Sequence, residues 1–192
     1  MTAWLRFTRA SYGPGPVDRS GRPRARPYPH AAVLAAADTA ILRRLHSRDP
    51  DGAATRAIAA FSKLGEHGAV WLAIAGAGAL LDPPRRPQIE NAVKTVVAAF
   101  GVNQVLKQTI RRRRPQRGAG QLVDTPTQLS YPSTHACTCF AGAGALARLL
   151  PAAPLYALAV PLALSRLYLG VHYPTDTLGG AILGDAVARL AR

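Results

Sequence analysis

Arg166, His172 and Asp176 stand six and four residues apart in an otherwise apolar run, SRLYLGVHYPTD, residues 165–176. Keeping charges among apolar side chains costs free energy, so these three must share a task. Pro174 suits the first turn of a helix, which places a helix start near Tyr173, His172 just before it and Asp176 in its first turn. From there Asp176 can accept a hydrogen bond from one His172 ring nitrogen and leave the other free to attack, the arrangement of a nucleophile with an orienting carboxylate. The plainer alternative is a buried His–Asp pair that only caps a helix.

Two further polar clusters have the same character. In KQTIRRRRP, residues 107–115, Lys107 and Arg114 are seven apart. That is about two helical turns, so both cations share a face if the helix continues, and Pro115 then turns the chain away. The four arginines alone would read as a membrane anchor or a nucleic-acid patch. In SYPSTH, residues 130–135, Ser133 is a good N-cap for an apolar helix. The amides of Ser133, Thr134 and His135 would then lie at a helix N-terminus, where free N–H groups and the helix dipole favour an anion.

The elements that carry these clusters are apolar helices. Segments 31–47, 67–82, 89–110, 135–150, 152–170 and 177–190 give six candidates. The connections are short except 48–64 and 111–132, and neither strand alternation nor an internal repeat is present. The predicted class is all-α, an integral membrane bundle of about six helices. Several are shorter than the roughly 20 residues of an upright span, and the first could lie in the interface. Abundant Ala and Gly suit close helix packing in a bilayer. Mean hydropathy is only +0.04, lowered by basic loops and by residues 1–30, an arm with six arginines that reads as disordered or lying on anionic headgroups. Residues 31–192 form the domain. No cleavable signal peptide is expected, since the first thirty residues lack an apolar core.

Of 192 residues, 24 are Lys or Arg and 10 are Asp or Glu, a formal net charge of +14 that calls for anionic partners. Cys137 and Cys139 point to different sides of a helix, which argues against a mutual disulfide, and with no Cys/His cluster nearby no zinc site is expected.

In an up-down helical order, the end of the third helix, the start of the fourth, the end of the fifth and the start of the sixth share one side of the bundle. All three clusters therefore converge. Together they make a phosphate cradle with a nucleophile and a proton donor, and with no carboxylate cluster to hold Mg²⁺ the cations and amides must themselves neutralise the phosphate.

Lys107-x6-Arg114-Pro115, Pro132-Ser133-x-His135 and Ser165-Arg166-x5-His172-x3-Asp176 resemble the three signature motifs of the type 2 phosphatidic acid phosphatase (PAP2) superfamily, over roughly residues 60–190. One departure is Thr134, where the family usually has glycine. The resemblance implies metal-independent hydrolysis of a phosphate ester through a phosphohistidine, with no cofactor. It makes His172 the nucleophile, Asp176 its orienting carboxylate and His135 the general acid. Lys107, Arg114, Ser133, Arg166 and the Thr134 amide would hold the phosphoryl oxygens. The stretches FSKLGEHGAVWLA and TPTQLSYPSTHA are similar to actinobacterial members that act on decaprenylphosphoryl-5-phosphoribose in cell-wall arabinan synthesis. Undecaprenyl pyrophosphate, phosphatidylglycerophosphate and phosphatidic acid are the alternative substrates.

The expected partners are a lipid-linked phosphate and membrane lipids, in a multi-pass plasma-membrane protein whose site faces outward. A nucleic-acid-binding protein is disfavoured because no stacking aromatics are interleaved with the arginine run. A catalytically silent scaffold is disfavoured because every catalytic residue type is retained.

Overall fold

The computed structural model describes residues 29–47, 49–115 and 121–191. The chain divides into two compact units, Met1–Ala37 and Asp38–Arg192. Nearly all of the basic arm expected over 1–30 lies outside the described residues, and the rest of the first unit is the opening of helix α1, Pro29–Leu45. The second unit continues α1 and adds α2 (Ala53–Lys63), α3 (Ala69–Leu81), α4 (Arg86–Ile110), α5 (Thr134–Leu146), α6 (Ala152–Tyr168) and α7 (Pro174–Leu190). The protein is all-helical, as expected. Among the described residues the sole β feature is an isolated bridge between Arg113 and Leu129 in the long α4–α5 connection.

The breaks follow from local chemistry. Pro83 and Pro84 end the α3 run, and proline in the first turn starts both α4 and α7. Ser133 caps α5 by accepting from the Ala136 N–H. Arg111 ends α4 in the left-handed region, at φ 53°. The helix therefore does not continue to Arg114, and Lys107 and Arg114 do not meet along a shared helical face. The bridge and the hydrogen bonds of Arg114 N–H to Gln128 and of Ser130 N–H to Arg112 fold this segment back instead.

Helix α2 corrects the expectation of a loop over 48–64. Its run AATRAIAAFSK has few large apolar residues, and the preceding Asp-Pro-Asp-Gly reads as a turn. What it buries is polar: Thr55 and Ser62.

Helix α5 is central. From His135 to Leu146 only Phe140 and Gly144 are not fully buried, so the helix is covered on all sides. Its most extensive contact is with α7, followed by α4 and α6. Gly180 and Gly184 of α7 lie directly on the α5 backbone: a Cβ at either would collide with the carbonyl oxygen of Ser133 or Cys137 respectively. Trp71, Ile89, Val96, Leu146, Leu155 and Leu162 fill the space between α3, α4, α5 and α6.

The outer surface is apolar in places where water-soluble helices are polar. Val97, Val105, Leu164, Leu178 and Ile182 are each at least half exposed. Among the described residues no single helix is both long and apolar enough to cross a membrane. The pair Ala53–Lys63 and Glu66–Leu81, bent by 42°, meets that standard together.

Candidate active site

The end of α4, the start of α5, the end of α6 and the start of α7 open on one cavity of about 610 Å³. Its lining includes Lys107, Arg114, Thr134, His135, Arg166 and His172. The topological expectation holds for these six. Ser133 and Asp176 sit behind the wall, both fully buried.

Lys107, only 2% exposed, ends α4 with its ammonium 3.3 Å from the Leu129 carbonyl. Arg114 is delivered by the folded-back segment. Its Nε donates to the Thr127 carbonyl at 2.8 Å, and its Nη1 donates to the Val171 carbonyl at 2.7 Å and lies 3.0 Å from His172 Nε2. Burial, and next the neighbouring Arg166, lower the Arg114 pKa to about 10, so the guanidinium is still charged at neutral pH.

His172 is buried in the turn between α6 and α7. Burial and then the cations of Arg114, Arg166 and Lys107 hold its pKa well below the ordinary value, so the imidazole is neutral. A guanidinium can only donate, so Nε2 facing Arg114 is an acceptor and the proton sits on Nδ1. Nδ1 points at Asp176 Oδ2 across 3.7 Å. That separation is too long for the hydrogen bond expected from the sequence. Oδ2 is instead taken by the Tyr173 N–H at 2.8 Å, and Oδ1 by Arg112 Nη1 at 2.8 Å.

At the start of α5, the Ser133 N–H is not open to a ligand. It donates to the Asp176 carbonyl at 2.9 Å. Its hydroxyl accepts from the Ala136 N–H at 3.4 Å. The Thr134 and His135 amides are the pair left at this terminus. The Thr134 hydroxyl donates to Asn103 Oδ1 at 2.7 Å, tying the terminus to α4.

His135 Nε2 and Arg166 Nε are buried at the cavity without a hydrogen-bond partner in the protein. Buried polar groups left open in this way point to a ligand. His135 is pressed by the break between α2 and α3: a Cβ on Gly65 would collide with its Nε2. At Gly65 the backbone itself meets the imidazole, in a break where His67 and Gly68 take positive φ of 53° and 78°.

Several site residues were not visible in the sequence. Glu66, His67, Phe100, Gln104 and residues 124–127 complete the lining. Arg112 joins Asp176 to the buried Asp38 of α1, with Nη2 2.7 Å from Asp38 Oδ2. Ser62 of α2 accepts from Arg166 Nη1 at 2.8 Å and from the Ser165 hydroxyl at 2.9 Å. Ser62 to Ala should leave one guanidinium arm unpaired. A lost hydrogen bond to a charged group is worth roughly 1.5–3 kcal/mol, so KM should rise about tenfold or more with kcat less affected. Steady-state kinetics with unchanged KM would show that Arg166 needs no such support.

An all-helical bundle that brings His135, His172, three cations and a helix N-terminus to one cavity defines a class. The chain belongs to the PAP2 superfamily, which matches residues 91–192, and it is a PAP2-type lipid phosphatase, a phosphoric monoester hydrolase. It is similar to decaprenylphosphoryl-5-phosphoribose phosphatase of Mycolicibacterium smegmatis, 44% identical over 124 residues that cover 63% of this chain and 68% of that one. The Mycobacterium tuberculosis protein of the same name is 39% identical over 130 residues, 67% of this chain and 73% of that one. The fold matches the crystal structure of Aquifex aeolicus LpxE with a TM-score of 0.68 at 20% identity, covering 80% of this chain and 93% of that chain.

Proposed function

We propose that the protein removes the 5-phosphate of decaprenylphosphoryl-5-phosphoribose through a phosphohistidine at His172. The observation that carries the reaction is the neutral His172 Nε2, facing the same cavity as Lys107, Arg114 and Arg166. Those cations and the Thr134 amide meet the charge of the phosphoryl oxygens. His172 Nε2 attacks phosphorus, the bond from phosphorus to the ester oxygen breaks, and His135 gives that oxygen a proton. Water then attacks the phosphohistidine and passes a proton to His135, which releases inorganic phosphate and restores His172. Asp176 stabilises the charge that builds on His172, and Ser133 shapes the helix terminus. The similarity to the two mycobacterial phosphatases supports this substrate, which belongs to cell-wall arabinan synthesis.

The apolar side chains on the outer surface support a multi-pass protein of the plasma membrane, since such faces are costly in water. The end of the bundle opposite the site is basic: Arg85 reaches the Leu149 carbonyl and Arg148 the carbonyls of Ala188 and Ala191. Arginines at that end suit the cytoplasmic side, and the active site, where Arg112 is engaged by Asp38 and Asp176 and Arg114 faces the substrate phosphate, then turns outward.

Phosphate release by the purified full chain in detergent, with EDTA present, tests this reading. The panel comprises decaprenylphosphoryl-5-phosphoribose, undecaprenyl pyrophosphate, phosphatidylglycerophosphate, phosphatidic acid and soluble p-nitrophenyl phosphate. The expected result is chelator-resistant release with the first substrate preferred. Preference for another lipid would reassign the substrate, and loss of activity with EDTA would overturn the mechanism. Hydrolysis of p-nitrophenyl phosphate by intact cells is expected from an outward site, and hydrolysis only after permeabilisation would reverse the orientation.

A further inference from the structure

Two charges take no part in the reaction as described: the buried Asp38 of α1, 3% exposed, and the half-buried Arg112, one of four consecutive arginines of which the phosphate cradle uses only Arg114. They meet each other. Arg112 is a fork with one arm on each of two carboxylates, Nη1 to Asp176 Oδ1 at 2.8 Å and Nη2 to Asp38 Oδ2 at 2.7 Å. Nη1 also donates to the Thr175 hydroxyl at 2.6 Å. Asp38 in turn accepts from the Thr175 N–H at 2.9 Å and from the Thr175 hydroxyl. The Arg112 guanidinium lies 4.3 Å over the Tyr173 ring, which closes the cluster on a third side.

We infer that Arg112 is a positioning residue for the Asp176–His172 pair, anchored from α1 by Asp38. This rests on the reading of His172 as the nucleophile. Asp176 has no exposed surface, and a buried carboxylate keeps its charge where hydrogen-bond donors and a cation offset its burial. Arg112 is the side-chain cation in ion-pair contact with it, and it takes Oδ1, which leaves Oδ2 toward His172 Nδ1. The Tyr173 N–H on Oδ2 fixes the rotation of the carboxylate. Asp38 does the same for Arg112 and in addition ties the first turn of α7 to α1. A lone arginine between α4 and α7 could turn toward the cavity and its anion. Held between two carboxylates by a planar fork, it does not.

The contrast with Arg114 is in the geometry. Arg114 lines the cavity and reaches His172, whereas Arg112 is absent from the lining and reaches the carboxylate behind it. Replacing Arg114 should disturb phosphate binding. Replacing Arg112 should disturb the chemical step while substrate still binds.

The test uses the purified full chain in detergent and the best substrate of the panel above. Arg112→Ala is expected to lower kcat about 100-fold with KM within about threefold, less than the loss of an orienting aspartate itself costs. Arg112→Lys, which can reach one carboxylate but not both, should recover about tenfold of that, and Asp38→Asn should lose about tenfold. In an Asp176→Asn background, Arg112→Ala should add less than about threefold, because both changes remove one device. Thermal unfolding and gel filtration establish that each variant folds; should Arg112→Ala not fold, Arg112→Lys and Asp38→Asn carry the measurement. A rise in KM at constant kcat, or a full additional loss on Asp176→Asn, would make Arg112 a phosphate ligand and overturn the inference. Unchanged kinetics in all three variants would also overturn it. His172→Ala run alongside separates the two levels: if it retains activity, the reading of the site fails, whereas an inactive His172→Ala beside a normal Arg112→Ala fails the inference alone.

Discussion

His172→Ala is expected to abolish phosphate release from every substrate while the protein stays folded. Removing a nucleophile costs about 10⁵-fold or more where binding groups remain, and here Lys107, Arg114 and Arg166 would still hold the phosphate. The variant should therefore bind inorganic phosphate or a lipid phosphate nearly as well as the wild type, yet form no acid-labile phosphoprotein. The fold should tolerate the change, because among the described residues the one side-chain hydrogen bond of His172 is between Nε2 and Arg114, and Arg114 keeps its bonds to the Thr127 and Val171 carbonyls. Quenched-flow trapping of the phosphoenzyme reads this directly. Retention of a tenth of the wild-type rate would mean that another group attacks, with His135 the first candidate.

The second large effect is on the fold. Gly184→Ala places a methyl group against the Cys137 carbonyl oxygen, with the Ala141 amide nitrogen 2.9 Å away. Both are backbone atoms of the central helix and no side-chain rotation relieves the contact. Overpacking of this kind costs up to about 3 kcal/mol, which for a chain of this size corresponds to a fall in Tm of roughly 6–12 °C. Because the Ser133 N–H is bonded to the Asp176 carbonyl where the same two helices start, activity should fall along with stability. A differential scanning measurement in detergent that finds Tm unchanged would show that α5 and α7 lie further apart than described.

Much of this was legible in the residues. The apolar runs marked six of the seven described α-helices, because proline, a serine cap and a glycine-rich break mark their ends, and the three polar clusters held six residues that line one cavity because their spacing is tied to those ends. Helix α2 was missed although Ala54, Ala57, Ile58 and Phe61 stand at helical spacing: the stripe is short and mostly alanine, it follows an Asp-Pro-Asp-Gly turn, and the residues it buries fully are Thr55 and Ser62. The route of Arg114 to the site was not legible. Its seven-residue spacing from Lys107 suggested a helical face, and the left-handed residue at Arg111 is set by tertiary bonds to residues 128–130, which no local pattern encodes. The links of Arg112 to Asp38 and to Asp176 join residues 74 and 64 positions apart in sequence, and among four equal arginines nothing local distinguishes one.

Gly65 fixes how closely the chain can approach His135: any side chain there would intrude on the imidazole. The rest of the lining is built of side chains, Glu66, His67, Phe100 and Gln104 among them, and residues 124–127 lie on a connection with no helix to preserve. Substitution is therefore barred at Gly65 and easy at 124–127, which makes that connection the place to retune the cavity toward a different headgroup without moving His135.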